Sequence, residues 1–294
     1  MNVQVYILIA GLINGVAIGS VYAIIALGLT LVFGVTRTYN FAHGSFITWG
    51  AYIVFFLPVW LNIELSYPMR FAIFIPIMFL FGWIFEKIVI RPIRQAENWL
   101  ILVMITTLAA TLILNSSALV LFGPLHKSLP PLIEGTIDLG GFVIATNDLM
   151  ILLISTGIIT ALSAFLKYTR HGTAMRAVAQ DLTGSKMVGI YVDKTFGYSL
   201  GISAVLAGIA GVLIAPKYHI SPMGGWLPFV KSFIIVFLGG LGSFKGTVMA
   251  AYILGITESV VMMYISPVWV MPVWFVLLIT ILIVRPKGLF GIWD

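Results

Sequence analysis

Residues 2–36, NVQVYILIAGLINGVAIGSVYAIIALGLTLVFGVT, form an apolar run without a single Asp, Glu, Lys or Arg. A helix needs about 20 such residues to cross a bilayer. Further apolar spans fit near residues 46–62, 69–90, 99–121, 149–168, 197–215, 231–244, 247–265 and 268–284. With a first span near 5–35, the sequence predicts an all-α fold, a polytopic transmembrane helical bundle of nine spans, within a range of roughly eight to ten. The long first span and the short, glycine-rich seventh span are candidates for broken or re-entrant segments.

The overall composition agrees with this prediction. Of the 294 residues, 61% are hydrophobic and 9% are charged, whereas about a quarter of a soluble domain is charged. This much apolar surface cannot be buried in a soluble domain, so the lipid bilayer is the expected surrounding and nucleic acid is not an expected partner. The chain has no Cys and only four, widely separated His residues, so we expect neither disulfides nor a metal site.

The basic residues predict how the chain is oriented. If the C-terminus is cytoplasmic and there are nine spans, twelve Lys and Arg residues lie inside and four, including Lys231, lie outside. Such a bias is typical of inner-membrane proteins in this orientation. Residues 122–148 then form the larger external loop, and residues 167–196 form a cytoplasmic segment. The whole chain, 1–294, is expected to be one transmembrane domain.

The predicted cytoplasmic segment, KYTRHGTAMRAVAQDLTGSKMVGIYVDKTF, has an amphipathic pattern and five basic residues. This pattern favours a docking surface for a cytoplasmic protein over a helix that lies on lipid. A second segment, GGLGSFKGT at 239–247, is rich in glycine but lacks the G-x-x-x-x-G-K-[ST] pattern of a phosphate-binding loop. It predicts a tight turn or helix break, and no nucleotide cofactor is expected on this chain.

Polar groups within the apolar spans are candidates for function because they are costly in lipid. Glu86, followed by Arg91 and Arg94, is interpreted as an ion-pair cluster at the inner end of the third span. Glu258 lies within an otherwise apolar run, where a helix–helix hydrogen bond and a role in the transport path remain equal alternatives. Asn115 is expected to form an interhelical hydrogen bond.

The segment 38–50, TYNFAHGSFITWG, concentrates polar groups between the first two spans. It is either a polar turn or a backbone break in which Asn40 and His43 bond freed carbonyl groups. Small residues also recur at one-turn spacing, which predicts close helix packing in lipid. They are Gly11, Gly15 and Gly19, then Ala207, Gly211 and Ala215, and finally Ala251 and Gly255.

Four motifs in this order resemble the permease subunits of ATP-driven (ABC) importers for branched-chain amino acids. The motifs are residues 15–52 with the core Asn40-Phe41-Ala42-His43-Gly44, residues 86–94 (EKIVIRPIR), residues 171–190 (HGTAMRAVAQDLTGSKMVGI) and residues 237–259 (FLGGLGSFKGTVMAAYILGITES). The resemblance covers nearly the whole chain. It departs from the family pattern at Ser45 and Gln180, where acidic residues are common.

The resemblance implies a single permease domain of an importer that works by alternating access in the inner membrane. The implied partners are a second homologous permease, two cytoplasmic ATPase subunits that bind the ATP, and an extracytoplasmic solute-binding protein. It implies Asn40, Phe41, His43, Gly44 and Glu258 as pathway or motif residues. It also implies an ATPase contact at Arg176, Ala177, Ala179, Asp181, Gly189 and Ile190, with Gly189 in a tight turn.

Other functions remain open from the sequence. Related permeases carry urea, short amides or aromatic amino acids, and the motifs do not select among these solutes. A proton-coupled secondary transporter would use Glu86, Glu258 and His43 as a relay. An intramembrane enzyme is disfavoured because the chain lacks Cys, H-E-x-x-H and G-x-S-x-G. A purely structural membrane subunit would leave the 167–196 segment without a role.

Overall fold

The computed structural model describes residues 3–138 and 143–291. Residues 139–142 of the predicted external loop and residues 292–294 of the predicted cytoplasmic C-terminus lie outside the described residues. The described part contains eleven α-helices: α1 (Val3–Thr36), α2 (His43–Leu61), α3 (Tyr67–Phe85), α4 (Trp99–Phe122), α5 (Thr146–Tyr168), α6 (Arg170–Gln180), α7 (Leu182–Met187), α8 (Val192–Tyr218), α9 (Trp226–Gly239), α10 (Phe244–Tyr264) and α11 (Val270–Val284).

Little other regular structure occurs in the described part. A π-helix at Glu86–Ile90 and a 3₁₀ segment at Arg91–Gln95 extend α3, and a 3₁₀ turn at Pro267–Trp269 precedes α11. Strands β1 (Thr136–Asp138) and β2 (Val143–Ala145) form a short antiparallel pair within the predicted external loop. The all-α prediction is confirmed.

Eight helical segments of the described chain are long and apolar enough to cross a membrane. The predicted seventh span is the exception. Its helix, α9, has 14 residues and is therefore about 21 Å long, short of the roughly 30 Å hydrocarbon core. The first span is long but unbroken, because α1 continues over 34 residues. The eight long helical segments fall within the predicted range of eight to ten spans.

The glycine-rich segment after α9 forms the predicted turn. Gly240 and Gly242 adopt φ angles of 100° and 79°, which side chains other than glycine rarely tolerate. Ser243 then caps α10, because its hydroxyl accepts a hydrogen bond from the Gly246 N–H at 3.2 Å. The segment therefore ends one helix and begins the next, as the predicted tight turn requires.

The chain divides into two compact units. The first comprises the chain up to Thr30, Pro130–Thr160 and the chain from Val230 onward. Within it α1 packs against α10 through the predicted small residues. A Cβ atom added at Gly255 would lie 2.5 Å from the Gly19 Cα atom and 2.6 Å from the Gly15 carbonyl oxygen. Ser259 Oγ donates to the Gly11 carbonyl at 2.7 Å, so a buried hydrogen bond joins the same two helices.

The second unit comprises Leu31–Leu129 and Ala161–Phe229. Helix α8 lies at its core, and most of the α8 residues are buried. The backbone at Gly211 packs directly on the Ile47 carbonyl of α2. The predicted interhelical bond of Asn115 is also present, because Ser45 Oγ donates to Asn115 Oδ1 at 2.9 Å. Small side chains thus bring helices together in both units.

Candidate functional site

The 167–196 segment folds as two short helices, α6 and α7, that precede α8. Thr169 begins α6, because its hydroxyl accepts from the Gly172 N–H at 3.0 Å. Asp181 begins α7 in the same way, since its Oδ1 accepts from the Thr183 N–H at 2.9 Å. After α7, Gly189 adopts a φ of 82°, and the Ile190 N–H donates to the Ser185 carbonyl at 3.0 Å. The predicted tight turn therefore has the geometry that favours glycine.

The two sides of this segment differ in burial. Met175 and Val178 of α6 are buried in an apolar cluster of the second unit. The other members of the cluster are Leu31, Val35, Val192 and Phe196. In contrast, Met187, Val188 and Tyr191 are 84%, 75% and 72% exposed. Three adjacent large apolar side chains left open at a helix–helix turn are typical of a protein-contact surface.

The residues implied as ATPase contacts lie on α6, at the start of α7 and in the turn that follows α7. Arg176 is exposed, and its guanidinium donates to the Lys167 carbonyl at 3.3 Å. Ala177 and Ala179 are half-buried, and the Ala179 carbonyl accepts from Arg37 at 2.7 Å. The remaining members have the roles described above: Asp181 caps α7, Gly189 makes the turn, and Ile190 is half-buried behind it.

The Asn40–Gly44 motif forms the turn that starts α2. Asn40 Oδ1 accepts from the Ala42 N–H at 3.0 Å, and the Phe41 N–H donates to Thr107 Oγ1 at 3.2 Å. Asn40 thus bonds a backbone N–H group, whereas the interpretation as a backbone break expected Asn40 and His43 to bond freed carbonyl groups.

The other half of this motif is buried against α8 and the start of α9. His43 is fully buried, and its Nδ1 lies 3.2 Å from Ser203 Oγ. Gly44 faces the Gly225 carbonyl, which would lie 3.0 Å from an added Cβ atom. Phe41 packs edge-on against Phe229, with ring centroids 5.9 Å apart. The motif is therefore a packing centre of the second unit, where a change of residue would disturb three helices.

Glu86, Arg91 and Arg94 lie together at the end of α3. The Glu86 carboxylate is buried and accepts from Arg94 at 2.5 Å, and Arg91 lies 3.8 Å from it. Both arginines also reach Asp193 at the start of α8, at 3.1 and 3.6 Å. The arrangement is a charge network and not an isolated pair, which increases its structural constraint.

Glu258 lies in the first unit and forms a buried ion pair there. Its Oε1 is 2.6 Å from Lys231 Nζ and accepts from the Tyr22 hydroxyl at 3.1 Å. Lys231 also donates to the Tyr22 hydroxyl at 2.7 Å. The Lys231 ammonium lies 5.0 and 5.3 Å from the ring centroids of Tyr22 and Trp274. The predicted helix–helix hydrogen bond of Glu258 is present. Side chains of three other helices, α1, α9 and α11, surround the ion pair.

No three His, Asp or Glu side chains within the described ranges are grouped as a metal site would require.

Comparison with known proteins identifies the family. A family model described as "Branched-chain amino acid transport system / permease component" matches residues 11–284. The chain belongs to this branched-chain amino-acid permease family. The permease is 31% identical to the LivH protein of Escherichia coli K12, a high-affinity branched-chain amino acid transport system permease protein, over 99% of this chain and 98% of the relative. It is 30% identical to the BraD permease protein of Pseudomonas aeruginosa over 98% and 97% of the two chains.

Membership of this family and the eight apolar segments make this permease a multi-pass membrane protein.

The sequence analysis missed three side chains that interact within the clusters described above. Lys231 was assigned to an outside loop, whereas it is buried within α9 and only 6% exposed. Its position within the apolar string FVKSFIIVF was the available signal, because a lone cation in such a string needs a partner. Tyr22 and Asp193 carried no comparable signal, since only tertiary contact reveals their partners.

Proposed function

We propose that this permease is the membrane-spanning subunit of an ATP-driven importer of branched-chain or related hydrophobic amino acids. It would work in the inner membrane, with its C-terminus in the cytoplasm, beside a second homologous permease. Two ATPase subunits would bind the ATP, and an extracytoplasmic binding protein would deliver the solute. Full-length similarity to LivH and BraD, which are named for high-affinity branched-chain amino acid transport, is the observation that carries the proposal.

The segment formed by α6, α7 and the turn to α8 is the proposed ATPase contact. Its exposed apolar residues, Met187, Val188 and Tyr191, would insert into the partner, and Arg176 would add charge at the rim. An interface with an apolar centre and a polar rim is the usual arrangement between proteins. The buried face of α6 would transmit movement of the ATPases to the rest of the second unit, and alternating access would follow as helices shift.

The test is uptake of radiolabelled leucine by proteoliposomes that contain the complex purified through this chain. ATP enclosed on the side of the ATPase subunits should drive uptake when the solute-binding protein is present on the opposite side, and ATPase subunits should co-purify. In Val188→Asp, the added charge should abolish co-purification, because desolvating an unpaired carboxylate at an apolar contact is costly. Leu125→Asp is the matched control: Leu125 is 70% exposed and lies in the predicted external loop, so co-purification should be unchanged.

Two results would contradict the proposal. One is retention of the ATPases by Val188→Asp at the level of Leu125→Asp. The other is leucine uptake by this chain alone, driven by a pH gradient and lost in Glu258→Gln, which is the result that a proton-coupled secondary transporter predicts. Uptake of urea in place of leucine would leave the ATPase contact standing and change the solute.

A further inference from the structure

The charge network of Glu86, Arg94 and Asp193 lies between the end of α3 and the segment that we assign to the ATPases. Glu86 is the first residue of the π-helix, and Arg94 lies in the 3₁₀ segment that follows. The hydrogen-bonding pattern thus changes twice within residues 85–95. π-Helical turns are rare and concentrate at functional sites.

Arg94 is the centre of this network. Its guanidinium binds Glu86 at 2.5 Å and Asp193 at 3.1 Å. It also lies over the Phe196 ring, 4.6 Å from the centroid. Since Asp193 and Phe196 belong to the first turns of α8, one side chain connects the end of α3 to the start of α8 by charge and by ring contact.

Phe196 continues the connection to α6. It is buried in the apolar cluster that also contains Met175 and Val178, the inward face of α6. Packed side chains of this kind move together, because the interior has little free volume to absorb a displacement. A movement of α6 would therefore reach Arg94 through Phe196, and Glu86 through Arg94.

Charge and burial favour a role beyond stability. The Glu86 carboxylate is 2% exposed and the Arg94 side chain 12%. A buried pair rarely stabilises a protein more than apolar residues of the same shape would, so its presence calls for another explanation. Arg91 and Asp193 are 39% and 61% exposed, and they place the outer part of the network where a docked protein can alter it.

We propose that Glu86 and Arg94 are positioning residues that couple the ATPase contact to the transport helices. This inference rests on the proposed function. They touch neither solute nor nucleotide. Their part is to hold the end of α3 to the start of α8, so that a shift of α6 and α7 moves α3 and α8 as one body. Without the connection, the ATPases would bind and hydrolyse ATP, but the movement would not reach the helices that form the path.

The experiment measures ATP hydrolysed per leucine imported, using the assembled complex in proteoliposomes. In Glu86→Gln, which keeps the side-chain shape, this ratio should rise at least about fivefold, the lower end of typical coupling between sites. Co-purification of the ATPases should stay at the wild-type level. Asp193→Asn should raise the ratio less, because that carboxylate is largely exposed. Lys87→Gln is the control. Lys87 is exposed and lies next to Glu86 in the chain but outside the network, so removing its charge should not change the ratio.

Three outcomes would decide against the inference. A wild-type ratio in both Glu86→Gln and Asp193→Asn overturns it. So does a loss of co-purified ATPase that matches the loss of uptake, because the residues would then serve assembly alone. If Glu86→Gln does not fold, a wild-type ratio in Asp193→Asn overturns it by itself. Failure of the proposed function is distinct, because the wild-type complex would then show no ATP-driven leucine uptake at all.

Discussion

The buried Lys231–Glu258 pair permits a quantitative prediction about stability. Removing one member of a buried pair costs about 3–5 kcal/mol, because the other charge is left without compensation in a low-dielectric interior. In Lys231→Met, Glu258 keeps only the Tyr22 hydroxyl among the donors described above. We therefore expect Lys231→Met to lose stability near the upper end of that range.

Glu258→Gln should cost less. The Lys231 ammonium would keep its hydrogen bond to Tyr22 and the two aromatic rings 5.0 and 5.3 Å away. A desolvated cation over a ring gains roughly 1–2 kcal/mol, so the loss should be smaller by about that amount. The double variant Lys231→Met/Glu258→Gln removes both charges, and it should lie within about 1 kcal/mol of the wild type.

The assay is unfolding of the purified permease in mixed micelles, followed by circular dichroism as denaturing detergent is increased. Lys245→Met is the control, because Lys245 is exposed in the first turn of α10; we expect a change within about 0.5 kcal/mol. If the losses of the two single variants add in the double variant, the two side chains do not interact energetically, and the reasoning is refuted.

Two further predictions concern glycines. Gly255→Ala should destabilise the protein by roughly 1–3 kcal/mol, because its Cβ would lie 2.5 Å from the Gly19 Cα atom. Gly157→Ala in α5 is the control, because nothing lies within 4 Å of the added atom; it should be neutral or stabilising by up to about 1 kcal/mol. Equal losses of stability in the Gly255→Ala and Gly157→Ala variants would argue against close packing of α1 and α10. Gly189→Ala should strain the turn after α7 by about 1–2 kcal/mol, and Gly189→Asn by less, because Asn tolerates positive φ. Limited proteolysis at 182–191 should therefore be fastest in Gly189→Ala, and equal rates in the two variants would contradict the assignment of strain.

The helices were predictable because their signals are local. An uncharged apolar run of about 20 residues has few alternatives in a membrane, and glycines at one-turn spacing indicate where helices meet. The contacts of Gly15 and Gly19 with Gly255 bear this out. The length of α9 was harder to predict, because the boundary between an apolar turn and an apolar helix has no polar marker. The predicted span began at 231, whereas the helix begins at Trp226.

The partners of charged residues were predictable only at short range. Glu86 and Arg94 are eight positions apart, and their pairing follows from a cluster visible in the sequence. Lys231 and Glu258 are 27 positions apart and lie on different helices, and Tyr22 is 236 positions from Glu258. Each of these three looked like a separate feature: a loop cation, an isolated acid and an ordinary apolar-span tyrosine.

The cost of burying a charge explains why charged residues that are distant in the sequence must be considered together. In lipid, an uncompensated charge costs several kcal/mol, so each deeply placed ionisable residue implies a second polar group somewhere in the chain. Two charged residues within apolar runs of this sequence, Glu258 and Lys231, have no nearby partner in the sequence, and they are of opposite sign. They can pair if α9 and α10 are neighbours. The Gly240–Ser243 turn makes them so. The same reasoning applied to Glu86 leads to Arg94, and then, because Arg94 has donors to spare, to Asp193. The charge that is costly to bury is thus also the most informative about which helices meet.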